Sequence, residues 1–201
     1  MKSTIFSLCL AGISLTSCQK DIKVIRASST PKTTAPQSSF VKYTIKAGEQ
    51  YCDLNTMARV EYQELKFTAK FDSSVIYKTI SSSNQADINK LFGFSDNNMQ
   101  HHQFSARFGW NWQNNSVQLF AYTYNNGVRA AKLLGTVAIG QEVNCSIAVA
   151  GYKYVFTLDN KVETMPRAST TTKAIGYKLY PYFGGDELAP HEIRIWIREA
   201  L

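Results

Sequence analysis

The sequence predicts an all-β fold, an antiparallel β-sandwich of jelly-roll type with one short helix. Three observations carry this. Apolar and polar residues alternate with period 2 over much of residues 40–201, as they do in strands with one face buried and one solvated. Asn-, Asp- and Gly-rich turn signals separate the alternating runs. This stretch of 162 residues also exceeds the ~100 residues of an immunoglobulin-type sandwich and suits a jelly roll.

The strands follow in order. Leu65, Phe67, Ala69 and Phe71 share one face, with Glu64, Lys66, Thr68 and Lys70 opposite. Asp72-Ser73-Ser74 then marks a turn. Gln85 to Phe92 is the helix candidate, with Asn84 as its N-cap. Phe104, Ala106, Phe108 and Trp110 point one way, so Ser105, Arg107 and Gly109 point the other. After Asn114-Asn115, Leu119, Ala121 and Thr123 form an inner row, leaving Gln118, Phe120, Tyr122 and Tyr124 outside. Asn125-Asn126-Gly127 ends that strand. Val143, Cys145, Ile147 and Val149 share a face, as do Tyr152, Tyr154, Phe156 and Leu158 before the Asp159-Asn160 turn. Ile193, Ile195 and Ile197 close the domain, alternating with Arg194, Trp196 and Arg198.

Ahead of the domain, Lys2 and the apolar run Ile5 to Leu15 read as an export signal. The run is far shorter than the ~20 residues of a membrane-spanning helix. It ends in Leu15-Thr16-Ser17-Cys18, which resembles the lipobox of bacterial lipoproteins. That resemblance implies cleavage after residue 17, acylation of Cys18 and attachment to a membrane through the N-terminal lipid. Gln19-Lys20-Asp21 resembles the surface-export signal of Bacteroidota lipoproteins, implying an outer-membrane lipoprotein facing outward, with a periplasm-facing domain as the alternative. Residues 18–39 are Ser-, Thr- and Pro-rich and basic, the composition of a tether.

The net charge of +7 divides into +1 on the signal, +3 on residues 19–39 and +3 on the domain. So small and scattered an excess argues against nucleic acid as a partner. Cys52 and Cys145 remain after processing, in a compartment where a disulfide can form. The alternative is a buried Cys145 thiol on its strand's apolar face.

Several outward-facing residues fit carbohydrate. Arg107 can bind a sugar carboxylate or sulfate bidentately; an ion pair with a neighbouring acid is the other reading. Tyr122 and Tyr124, on a nominally polar face, offer rings to the apolar faces of sugars, and Trp196 between Arg194 and Arg198 does the same. The alternative is a covering loop that makes these rings a second core layer. Three histidines are present, His101, His102 and His191. His101 and His102 would point apart on an extended chain, so one at most could serve. His102, Arg107 and Tyr122 make a candidate catalytic set for proton abstraction beside a uronate carboxylate. The Gly184-Gly185-Asp186-Glu187 turn offers carboxylates to Ca²⁺, with plain solvation as the alternative; no other cofactor is expected. His191, after Pro190, is expected to make a structural hydrogen bond.

Three stretches carry a wider resemblance: Ile45-Lys46-Ala47-Gly48-Glu49 with Tyr51; Phe104 to Trp110; and Tyr180-Pro181-Tyr182-Phe183-Gly184-Gly185 leading to Ala189-Pro190-His191. Together they resemble secreted lipoproteins of the concanavalin A-like lectin/glucanase superfamily, among them polysaccharide lyases and glycan-binding proteins. The superfamily's paired-glutamate motif is absent, as are the Arg-x-Glu-x-Arg and Gln-Ile-His patterns of alginate lyases. The expected function is therefore binding of an acidic polysaccharide, with Arg107, Tyr122, Tyr124, Arg194 and Trp196 as contacts. One alternative is a lyase acting by β-elimination on a uronate polymer. A second is a structural or partner-binding lipoprotein.

Overall fold

The computed structural model describes residues 39–169 and 171–200. The signal, Cys18 and nearly all of the tether lie outside the described residues. Among the described residues, twelve strands form two six-stranded antiparallel sheets. The first contains β1 (Val41–Ile45), β12 (Ile193–Glu199), β3 (Glu64–Phe71), β8 (Glu142–Ala150), β9 (Lys153–Leu158) and β10 (Lys161–Pro166), side by side in that order. The second contains β2 (Arg59–Tyr62), β11 (Ala174–Leu179), β4 (Asn89–Ser95), β5 (Phe104–Gln113), β6 (Ser116–Asn125) and β7 (Val128–Val137). This is the predicted jelly-roll sandwich.

The core lies between the sheets, where the inner rows meet. Phe67 of β3 packs edge-on against Phe108 of β5 at 5.5 Å, and Phe108 meets Phe156 of β9 at the same distance. The alternation read from the sequence decides which side chains reach this layer. Hairpin chemistry sets the register between β5, β6 and β7. Asn114 and Asn115 both adopt positive φ in the two-residue turn between Gln113 and Ser116, and Asn126-Gly127 does so between Asn125 and Val128. Turns with positive φ at both central positions match the twist of antiparallel strands.

The predicted helix is a correction. Only Ser82–Ala86 turns, as a single 3₁₀ segment, and Asn89 already begins β4. The Gln85 side chain instead accepts from the Thr79 backbone and donates to the Trp112 carbonyl, tying the Thr79 loop to the end of β5 (Phe104–Gln113). Leu91, Phe92 and Phe94 are all buried; a strand covered on both faces has an apolar run without period, which local pattern cannot tell from a helix. Cys52 and Cys145 are free buried thiols, so no disulfide joins them. His191 makes its expected structural bond, Nε2 to the Ser74 carbonyl at 2.8 Å.

Candidate functional site

The outer face of the second sheet, turned away from the core, carries a cleft of about 590 Å³. Arg107 lies at its base on β5, flanked by Gly93 of β4 and Tyr122 of β6. A Cβ at position 93 would overlap the Ala106 carbonyl and the Arg107 Cβ, so glycine is what lets the arginine strand approach. Arg107 is only 6 % exposed, and its Nε has no hydrogen-bond partner. The guanidinium stands 5.7 Å from the Tyr122 ring centroid, within cation–π range. The ion pair considered from sequence does not form; among the described residues no carboxylate bridges Arg107. Burial lowers its pKa to about 10, so it remains cationic at neutral pH. A buried, unpaired cation with an unsatisfied donor is costly. An incoming anion would relieve both deficits.

Around Arg107 the cleft gathers residues distant in sequence. Tyr122 and Tyr124 lie 6.0 Å apart, ring to ring, and His102 stands edge-on to Tyr124 at 5.3 Å. Burial and the Tyr124 neighbour push the Tyr122 hydroxyl up to about 12, so it holds its proton at neutral pH. His101 and His102 do not point apart as an extended chain would require. Residues 100–104 turn back on themselves, with Gln103 and Phe104 N–H both donating to the Gln100 carbonyl, and the imidazoles come within 4.2 Å. Both line the cleft. Burial, with Arg107 and His102 nearby, lowers His101 to about 4 and keeps it neutral.

Tyr177 of β11 was not singled out by sequence, yet it holds His101 in place. Its phenol oxygen lies 2.8 Å from His101 Nδ1, 2.9 Å from the His101 backbone nitrogen and 3.3 Å from Gln100 Oε1. All three contacts are satisfied together when the phenol accepts from both nitrogens and donates to Gln100. That tautomer leaves the Nε2 lone pair of His101 free for proton transfer. Lys90, Arg129, Tyr51 and Tyr182 also line the cleft and were missed as site residues. Lys90 sits in a seemingly helical stretch, and the others become neighbours only through strand pairing.

The loop bearing the histidines starts at Asp96, whose side chain is fully buried. Asp96 Oδ2 accepts from Arg167 Nε and the Tyr154 hydroxyl, both at 2.7 Å. Its Oδ1 accepts from the Asn97 and Ile175 backbones. With both oxygens engaged, the carboxylate fixes the departure of Asn97 and Asn98, which take positive φ.

Two predicted contacts lie elsewhere. Arg194 and Trp196 belong to β12, in the other sheet; Arg194 pairs with Asp72, and Trp196 stands between Lys42 and Lys70. They do not join Arg107. The Glu187 carboxylate accepts from the Ile80 and Ser81 backbones and from Asn84, so it serves as a loop cap. No group of three or more His, Cys, Asp or Glu among the described residues could hold a metal ion.

No protein-family model matches this chain, and no curated protein does. Solved structures do. An alginate lyase, AlyC3, superposes with a TM-score of 0.52 at 8% identity, covering 80% of this chain and 73% of its own. LamAcat from Zobellia galactanivorans gives 0.49 at 12% identity, covering 81% and 77%. A family 7 alginate lyase, A1-II′, gives 0.48 at 10%, covering 79% and 76%. At such identities the AlyC3 likeness is one of fold.

Proposed function

We propose that this protein is a polysaccharide lyase that cleaves a uronate polymer by β-elimination. The observation that carries this reading is the buried, unpaired Arg107 at the base of a tyrosine-lined cleft, beside His101. The fold shared with an alginate lyase supports it, without assigning any residue.

Each group has a chemical task. The Arg107 guanidinium receives the uronate carboxylate, withdrawing charge and making the adjacent C5–H more acidic. That carboxylate also offsets the repulsion between Arg107 and His101, so substrate binding raises the basicity of a histidine that is weakly basic in the free protein. His101 Nε2 takes the C5 proton. The electron pair forms the C4–C5 double bond, the C4–O bond breaks, and Tyr122 donates its proton to the departing oxygen. His102, beside His101, and Tyr124, beside Tyr122, line the path of the chain.

The test is turnover of uronate polymers by the purified domain, followed as new absorbance near about 235 nm, where the unsaturated product of elimination absorbs. Arg107→Met and His101→Asn should each reduce the rate by at least about 10²-fold, the scale of a lost general base or charge-stabilising donor. Binding without any absorbance would instead identify a non-catalytic glycan-binding protein, the first reading of the sequence.

The proposal extends to location: an exported lipoprotein, acylated at Cys18 and held at the outer membrane, with its domain outward. Lys2, the apolar run and Leu15-Thr16-Ser17-Cys18 support it. Wild-type protein should fractionate with membranes and Cys18→Ser with the soluble fraction; equal partitioning of both would refute the anchor.

A further inference from the structure

Beside Arg107, the same sheet face carries a second set of side chains that the elimination step does not use. Lys90 and Tyr182 exchange both backbone hydrogen bonds, at 2.8 and 3.0 Å, and Tyr182 is paired in turn with Tyr51. Directly paired residues project to the same side of a sheet. Tyr51, Tyr182 and Lys90 therefore form a row across three extended segments. Lys90 is also paired with Gly109, two residues beyond Arg107 along β5. One side-chain step along a strand, about 7 Å, separates this row from Arg107.

The row is built for an anionic, partly apolar ligand. Lys90 Nζ donates to the Ile88 carbonyl at 2.7 Å and lies 5.2 Å from the Tyr122 ring, on which Arg107 also rests. No carboxylate among the described residues forms an ion pair with it. A Cβ at Gly184 would collide with the Lys90 ammonium, so the glycine turn leaves that charge its space. Tyr182 is oriented by its hydroxyl, which donates to Gln50 Oε1 at 2.6 Å. Tyr51 packs edge-on against it at 4.9 Å while remaining 62 % exposed, a ring face open at the rim.

We infer that Tyr51, Tyr182 and Lys90 form a second sugar subsite for an acidic unit directly next to the one seated on Arg107. The protein thereby selects runs of consecutive acidic sugars. This rests on the reading that the cleft takes an acidic glycan. A chain with isolated acidic units satisfies Arg107 alone and places a neutral ring against Lys90, leaving a half-buried ammonium without its counter-charge. Leaving a buried charged group unmatched is the strongest source of discrimination available to such a site.

The experiment is equilibrium binding of two tetrasaccharide probes, one with four consecutive uronates and one with uronates alternating with neutral sugars, with His101→Asn present in every protein so that neither probe is cleaved. The protein carrying His101→Asn alone should prefer the consecutive probe by about tenfold or more. Lys90→Met should lose that preference, weakening the consecutive probe by about 10- to 100-fold and the alternating one little. Tyr51→Ala, at an exposed ring whose removal leaves the core intact, should weaken the consecutive probe by about fivefold. Arg107→Met should weaken both probes. If Arg107→Met weakens binding while Lys90→Met and Tyr51→Ala leave it unchanged, the second subsite is wrong and the acidic-glycan reading stands. If the protein carrying His101→Asn alone binds neither probe, both fall together.

Discussion

At the scale of single residues, the cleft concentrates positive charge that the protein itself does not neutralise. Lys90 shows the cost. Burial and the proximity of Arg107 and Arg129 bring its pKa down to about 8, against a weaker opposing pull from Asp87. The ammonium is the form that holds an anion, so Lys90's contribution to binding is complete only well below pH 8 and is lost as pH rises through about 8. Lys90→Arg, whose guanidinium stays charged, should retain affinity across that window. Titrating glycan affinity from pH 6 to about 9 in both proteins checks this, and an identical decline in both would sink it. Arg107 itself was legible in the sequence. Its neighbours Phe104, Ala106, Phe108 and Trp110 are apolar enough to fix which way the strand faces, and the opposite direction for Arg107 follows from period 2 alone.

At the scale of elements, the strands bounded by turn residues were legible and the exceptions share a cause. β5, β6 and β7 form a meander whose turns are encoded in Asn114-Asn115 and Asn126-Gly127. β4 was hidden, because Leu91, Phe92 and Phe94 are buried whichever way they point. The stretch from Gln100 to Phe104 was misread for a different reason. The alternation that orients side chains on a strand has no bearing on a turn, and there the backbone brings His101 and His102 to the same cleft. The orientation of His101 depends on Tyr177, 76 residues away in sequence.

At the scale of the molecule, the buried Arg167–Asp96 pair closes one end of the sandwich. Asp96 follows β4 in one sheet, Tyr154 belongs to β9 in the other, and Arg167 follows β10. Arg167 also donates to the Gly151, Thr171 and Lys173 carbonyls, gathering the turn before β9 and the segment entering β11. Removing one partner of such a pair strands a buried charge. Arg167→Met should therefore lower stability by about 3–5 kcal/mol, read as a drop in urea midpoint. Arg167→Met combined with Asp96→Leu should recover part of that loss, because no charge is left unpaired. A double variant as unstable as the sum of the two single ones would show that the pair does not act as a unit.

The sequence by itself determined the sandwich, the turns and the outward face of Arg107, Tyr122 and Tyr124. These follow from local properties, the period-2 projection of side chains and the positive φ that Asn and Gly tolerate. Only the tertiary structure decided which outward faces share a surface. β12, with Arg194 and Trp196, pairs into the first sheet, whereas β11, with Tyr177, joins the second beside β4. Lateral strand order is set by hydrogen bonds between segments far apart in the chain, and alternation within one strand carries no information about its neighbour. That ordering places Tyr177 behind His101 and Tyr182 beside Lys90, and so makes a cleft out of residues that look unrelated in sequence.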